Sequence, residues 1–398
     1  MKNFIFISPN FPVTYWKFCA ELKNNGLRVL GVGDCPYEQL NQNLRENLHE
    51  YYKVGSLENY DEVFKAVAFF SYKYGKIDWL ESNNEYWLER DALLRTEFNI
   101  TSGFKTEDMA RIKYKSAMKE YYAKAGIPTA RYHIVEGYED AAEFAHTVGY
   151  PVIVKPDNGV GASNTYRLGN DDDLRFFIDH KDGASYIMEE FVNGYVRTYD
   201  AIIDADGQPV FESGNVTPQS LMDIVNEQGN SLYYIVPGLP EEMLDVGRRT
   251  VAAFGVRSRF VHLEYFVLNA DQEGLGQKGD IIGLEVNMRP AGGYTPDMYD
   301  FAYETDVYKI WADMIAFNKC TLDLGRAHHF CAFCGRRDGK NFVLDHNAVM
   351  AKYGPNMKMW GRIPDALSGA MANQMYVANF DTEAEMDNYF RDLLACRD

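Results

Sequence analysis

Two apolar stretches in the second half of the chain carry ionisable side chains where a buried strand would ordinarily carry none. Glu264 lies within His262-Leu263-Glu264-Tyr265-Phe266-Val267, and Glu285, Asn287 and Arg289 alternate through Gly283-Leu284-Glu285-Val286-Asn287-Met288-Arg289. Residues two apart on a strand share a face, so Glu285, Asn287 and Arg289 point one way while their apolar neighbours point the other. A carboxylate aimed into a sheet-bound cleft is costly unless it is paired or bound to a metal. Hard oxygen donors on adjacent strands suit Mg2+ or Mn2+, which shares the rest of its shell with water and substrate phosphate. Arg289 adds a planar fork for a carboxylate or phosphate. The competing interpretation is a half-exposed sheet face held by salt bridges.

Two further segments fit a nucleotide. In Val152-Ile153-Val154-Lys155-Pro156-Asp157-Asn158-Gly159-Val160-Gly161-Ala162-Ser163 a buried strand delivers a lysine into a glycine-containing loop. Glycines let backbone N–H groups approach a phosphate, and the lysine supplies a point charge for the same anion. No Gly-Lys-Ser/Thr closes the loop, so it is not the Walker pattern. Taken alone it also describes a strand-end lysine beside a surface turn. In Tyr186-Ile187-Met188-Glu189-Glu190-Phe191-Val192-Asn193-Gly194 a strand runs into a bend. Such a bend can offer backbone N–H and C=O groups to a planar base, although exposed glutamates more often only solvate a surface.

The first hundred residues alternate short apolar runs (Phe4–Ile7, Arg28–Val32, Ile77–Leu80) with amphipathic helical ones (Tyr15–Leu22, Asp61–Phe70, Tyr86–Phe98). That order predicts a parallel sheet covered on both faces. The loop after the first strand, Ser8-Pro9-Asn10-Phe11-Pro12, contains no glycine, which disfavours a dinucleotide enzyme. From Thr106 a long helix is expected to run to Lys124 and stop at Ala125-Gly126-Ile127-Pro128. Strands and helices then alternate irregularly to a closing helix near Thr382–Leu394, and Asp204-Ala205-Asp206-Gly207 marks a hairpin.

Composition removes several classes. A net charge of −18 over 398 residues disfavours nucleic acid as a partner. No run approaches the ~20 apolar residues of a membrane span, and the short apolar N-terminus lacks a cleavage pattern, so a cytoplasmic protein is expected. Six cysteines are scattered apart from Cys331 and Cys334, near His328 and His329. A zinc site there lacks a second ligand pair at suitable spacing, and a β-strand with alternating faces is the expectation.

As a set, these segments resemble the ATP-grasp superfamily, which includes biotin carboxylase, carbamoyl phosphate synthetase and D-alanine–D-alanine ligase. The resemblance implies an N-terminal parallel α/β domain (1–105), a small ATP-grasp lobe with a helical lead-in (106–192), a large lobe with a metal site (193–320) and a C-terminal mixed subdomain (321–398). It implies that ATP is held by Lys115, Lys155, Gly159, Gly161, Ser163 and the hinge residues Glu189, Glu190 and Val192. Glu264, Glu285 and Asn287 correspond to the metal ligands and Arg289 to the catalytic arginine. His262 and Tyr294 are candidate substrate contacts. The glutamate that usually holds the ribose is absent, its place being taken by Val196 and Arg197.

The activity implied is a carboxylate–amine ligase that works through an acyl phosphate on small molecules, amino acids among them, and releases ADP and phosphate. Bicarbonate activation of the carboxylase type and a non-catalytic ATP-binding subunit are the alternatives. Relatives of this kind often form homodimers.

Overall fold

The computed structural model describes residues 1–159, 164–218, 229–325 and 328–397. The first sheet contains β1 (Asn3–Ile7), β2 (Arg28–Gly33), β3 (Glu50–Lys53) and β4 (Trp79–Glu81), all parallel in the order β3-β2-β1-β4. Alternation along β1 explains why both faces are covered. Phe4 and Phe6 enter a core with Phe18, Leu22 and Trp311, while Ile5 and Ile7 enter another with Val63, Val67 and Leu94. The edge strand β3, Glu-Tyr-Tyr-Lys, has no fully buried residue, so its sequence carries no apolar run to reveal it.

A second, antiparallel sheet follows: β5 (Tyr132–Ile134), β6 (Val152–Pro156), β7 (Tyr166–Leu168) and β8 (Tyr186–Glu190), in the order β5-β8-β6-β7. Helices Tyr138–Val148 and Asp171–His180 pack on it through Ala141, Ala145, Leu174 and Phe177.

The remaining strands build one nine-stranded sheet. They are β9 (Gly194–Ile203), β10 (Pro209–Ser213), β11 (Asn215–Thr217), β12 (Ser231–Ile235), β13 (Arg259–Leu268), β14 (Ile281–Asn287), β15 (Phe330–Arg336), β16 (Met357–Arg362) and β17 (Gln374–Phe380). Their order is β14-β13-β9-β11-β12-β15-β17-β16, with β10 paired to β9 across the Asp204–Gly207 hairpin. The C-terminal segment is mixed, as its sequence predicts, and its strands extend the large sheet. The outer face of that sheet lies under helices Glu241–Phe254 and Glu383–Leu394. Gly247 lets the first of these approach closely, since a Cβ there would meet the Tyr199 ring at 2.2 Å.

The long helix expected over 106–124 is broken. A helix Met109–Lys113 ends at Tyr114, whose φ of −90° and ψ of 120° are extended, and a new helix starts at Lys115. The physical reason is Asp157, just beyond β6. Its carboxylate accepts hydrogen bonds from the Ser116 N–H at 2.8 Å and the Ser116 hydroxyl at 2.7 Å, and its carbonyl accepts the Lys115 N–H at 2.8 Å. Orphan donors at a helix start are thus satisfied by a side chain from another element. Among the described residues no helix is long and apolar enough to cross a membrane. Cys331 and Cys334 are buried on β15 in different cores, on opposite faces of the sheet, and neither sulfur joins a metal-binding cluster among the described residues.

Candidate active site

The break at Tyr114 sets Lys115 at the head of its helix, buried between the small sheet and β14. Its ammonium donates to the Gly159 carbonyl at 2.9 Å and lies 3.1 Å from Glu285 Oε1. Gly161 and Ser163 lie outside the described residues. Lys155, one strand position before the loop, is 2.6 Å from Glu189 Oε2, and Lys119 pairs with the other oxygen of the same carboxylate. Burial pushes the Glu189 carboxyl up, but the two ammonium groups outweigh it and hold the pKa down to about 2. Burial likewise works against the Lys155 ammonium, and Glu189, Glu285 and Glu264 together raise its pKa above the ordinary value.

Glu190 points the opposite way and is clasped by Arg131, whose Nη2 lies 2.6 Å from Oε2 and whose backbone N–H reaches Oε1 at 2.7 Å. Just beyond, Gln272 donates to the Phe191 carbonyl at 2.9 Å and accepts from the Asn193 N–H at 3.1 Å. The bend between the lobes is therefore tied on both sides of Val192 to the loop that joins β13 and β14. The Val192 N–H itself has no acceptor among the described residues.

On the large sheet Glu264 and Glu285 are direct cross-strand neighbours, and His262 is opposite Asn287. Two like charges in that position repel unless countered. His262 supplies the counterweight. Its Nδ1 lies 2.6 Å from Asp200 and its Nε2 3.1 Å from Glu264. Burial pulls the imidazolium pKa down, but Asp200 and Glu264 override it and lift the value to about 9. Burial also pushes the Glu264 carboxyl up, and the His262 hydrogen bond with the His262, Arg289 and Lys115 charges brings it below the ordinary carboxylate value. Asn287 donates to Glu264 Oε1 and accepts from Arg289 Nη2, each at 3.2 Å. Asp200–His262–Glu264–Asn287–Arg289 is one continuous chain of contacts.

The donor set suits a divalent cation of the Mg2+ kind. Two carboxylates and an amide oxygen are hard ligands, and Glu264 and Glu285 face each other across one strand pair. No group of three or more His, Cys, Asp or Glu side chains forms an all-protein cage among the described residues. Mg2+ needs none, because it takes one or two carboxylates and completes its shell with water and phosphate.

The parallel sheet contributes the other wall. Its strand order reverses direction between β1 and β4, and ligands of open α/β sheets sit in the crevice beyond the strand ends at such a point. The loops there bring Glu85 to 2.8 Å from Lys113 Nζ and 3.6 Å from Arg289 Nε. The Tyr15 hydroxyl donates to the Asn83 carbonyl at 2.8 Å. Asn10 Oδ1, Thr14 Oγ1, Asn83 Nδ2 and Glu85 Oε2 are buried without a hydrogen-bond partner among the described residues. Unpaired polar atoms on the loops beyond the strand ends have the makings of a ligand site. Tyr294 is buried at the head of helix Thr295–Tyr303. Glu85, Asp157 and Asp200 are missing from the sequence reading. Only the loop position of Glu85, after a parallel strand, could have signalled it.

The family described as "Carbamoyl-phosphate synthase L chain, ATP binding domain" matches residues 111–198. The L-arginine-specific L-amino acid ligase of Bacillus subtilis is 25% identical over 257 residues, which span 62% of this chain and 60% of that ligase. The chain thus matches less than two thirds of that relative's length. Among solved structures, the L-amino acid ligase from Bacillus licheniformis superposes with a TM-score of 0.72 at 15% identity, over 99% of this chain and 97% of that one. The biotin carboxylase domain of the Hydrogenobacter thermophilus 2-oxoglutarate carboxylase, in complex with MgADP and bicarbonate, gives 0.70 at 14% identity, over 98% and 89%. At such identities these likenesses speak for the fold. The sequence match falls on the stretch that carries both lysines and the bend, within a fold shared along almost the whole chain, and the chain has the fold of the ATP-grasp proteins it resembles.

Proposed function

We propose that the chain is an ADP-forming carboxylate–amine ligase whose substrates are amino acids. In this reaction a substrate carboxylate oxygen attacks the γ-phosphorus of ATP and ADP leaves. The amine of the second substrate then attacks the acyl carbon, and phosphate departs as the new C–N bond forms. The observation that carries the proposal is the meeting of Arg289 and Glu85 at the mouth of the metal-type cluster. A guanidinium and a carboxylate side by side suit a substrate that bears both an acid and an ammonium group. Bicarbonate has no ammonium group, so Glu85 favours a ligase over a carboxylase.

Each residue has a role that follows from its surroundings. Lys115 and Lys155 offset the negative charge of the phosphate chain, and the buried Glu189 keeps the Lys155 ammonium extended from β6. The Val192 N–H, free at the bend, is the donor for the edge of adenine, with Glu190 holding that segment through Arg131. Gly159, Gly161 and Ser163 supply the phosphate loop. Glu264, Glu285 and Asn287 would hold Mg2+, which when bound neutralises phosphate charge during transfer. His262 is engaged on both ring nitrogens, by Asp200 and Glu264, so its role is to orient Glu264. Arg289 donates to the oxyanion that develops as the amine attacks, a contact whose loss typically lowers the rate on the order of 10²–10³.

The test is ADP and phosphate release with Mg-ATP and amino acids, offered singly and in pairs. The proposal expects release together with a product whose mass is that of the two amino acids less water. Release driven by bicarbonate without an amino acid would replace the ligase reading with the carboxylase one.

A further inference from the structure

The large sheet has a second face, and the ATP-grasp chemistry does not use it. Strand alternation sends Thr198 and Asp200 of β9 toward His262 and Glu264, and sends Tyr195 and Arg197 the other way. Arg197 is paired across the sheet with Val216 of β11, and Val216 with Tyr234 of β12, so the three side chains form a row on the outer face. Helix Glu241–Phe254 covers one side of this row through Tyr199 and Tyr265, and helix Glu383–Leu394 covers the other through Leu232 and Cys334. On this face, beside the start of helix Glu383–Leu394, lies an open cavity of about 580 Å³ whose lining includes Tyr195, Arg197, Tyr234, Asn269, Phe330 and Glu383. That volume is in the range of sites for small organic ligands.

The lining is chemically specific. Arg197 Nε is buried and has no acceptor among the described residues, and the guanidinium forms no ion pair among them. A desolvated guanidinium donor is unfavourable until an acceptor meets it, and a carboxylate meets it with matching geometry. Tyr234 and Phe330, whose ring centroids are 6.3 Å apart, supply an aromatic wall. Burial lifts the Tyr234 hydroxyl to a pKa of about 12, with Glu383 and Asp387 raising it and Arg197 lowering it. Among the described residues Arg197 is a cation without an ion-pair partner, and Glu383 in the same lining selects against ligands that carry several negative charges, such as nucleotides.

We propose that this outer-face cavity is a second ligand site for a small aromatic monocarboxylate, with the carboxylate on Arg197 and the ring against Tyr234 and Phe330. Arg289, the anion-binding group of the proposed ligase site, lies on the opposite face of the sheet, so the two sites can be separated by substitution.

The test is calorimetric titration of the full chain with phenylacetate, 4-hydroxyphenylacetate and indole-3-acetate, with phenylacetamide as the neutral control. The expected result is saturable one-to-one binding of at least one carboxylate, at least tenfold tighter than the amide. It should persist in saturating ADP and in Arg289→Met, and weaken at least tenfold in Arg197→Met. The wild-type comparison of acid with amide stands even if Arg197→Met fails to fold, and Arg197→Lys, which keeps the charge, should retain part of the affinity. The proposal is overturned if none of the three acids binds, if the amide binds equally well, or if Arg289→Met abolishes binding while Arg197→Met leaves it intact.

Discussion

Glu189 sits between two ammonium groups, Lys119 and Lys155, with almost no exposure to water. Removing one of them leaves the carboxylate paired, so the fold should survive Lys155→Ala. In the proposed function it removes a charge-assisted contact to the phosphates, and such contacts are each worth enough to weaken ADP binding roughly 10- to 100-fold. Fluorescence or calorimetric titration reads this directly, and undiminished affinity would count against Lys155 as a phosphate ligand. The same carboxylate makes a pH prediction. Its folded pKa of about 2 lies below the ordinary 4.5, so its contribution to stability is fully present above about pH 4.5 and is lost as the pH falls through 2. The difference amounts to roughly 3 kcal/mol. Urea midpoints measured from pH 7 down to pH 3 should drop in the wild type, and the Glu189→Gln variant should show a flatter acid limb.

At the scale of elements, the cap on the helix that begins at Lys115 controls how that lysine meets Glu285. Asp157→Ala removes both hydrogen bonds to Ser116 and should lower stability by about 1–2 kcal/mol, with Asp157→Asn costing less because its amide oxygen can still accept. Denaturant midpoints check the order, and an Asn variant weaker than the Ala variant would contradict the capping role. The cap also marks where sequence reading ends. The alternation of Glu285 and Asn287 was legible because a strand has a fixed period of two, whereas Arg289 lies in the bend beyond the end of β14. The Lys155 strand and the Asp204–Gly207 hairpin were legible for similar local reasons. The break at Tyr114 was not, because amphipathic character continues through it and the residue that stops the first helix lies 43 positions away in sequence. Asp200 was equally hidden. It reads as one acidic residue in a strand, and only the register of β9 against β13 brings it to His262. The crevice residues Asn10, Thr14, Asn83 and Glu85 come from two loops whose meeting depends on the strand order of the first sheet, which local pattern does not encode.

At the scale of the whole molecule, a buried charge cluster joins the parallel sheet to the large one. Glu81 at the end of β4 pairs with Arg259 at the start of β13, and with Arg95 at 2.9 Å. Arg95 also donates to the Leu80 and Phe104 carbonyls, each at 2.9 Å. Burial pushes the Glu81 carboxyl up, and the two guanidinium groups bring it back below the ordinary value. Truncation to Glu81→Ala leaves two buried cations without their shared partner and should cost about 3–5 kcal/mol, which equilibrium unfolding would show. Because the crevice and the metal-type cluster lie on different sheets, this joint also holds Arg289 against Glu85, and the same variant should lose ligase turnover even under conditions where it remains folded. The central claim is that the carboxylate and amide pair on β14 serves ATP chemistry and is not a structural salt-bridge face. The measurement that tests it most directly is Mg-dependent ADP release, in the presence of an amino-acid mixture, by Glu285→Gln combined with Asn287→Ala. The account predicts that turnover is abolished while the unfolding midpoint stays close to that of the wild type. Turnover at the wild-type rate in a variant that lacks both groups would contradict it.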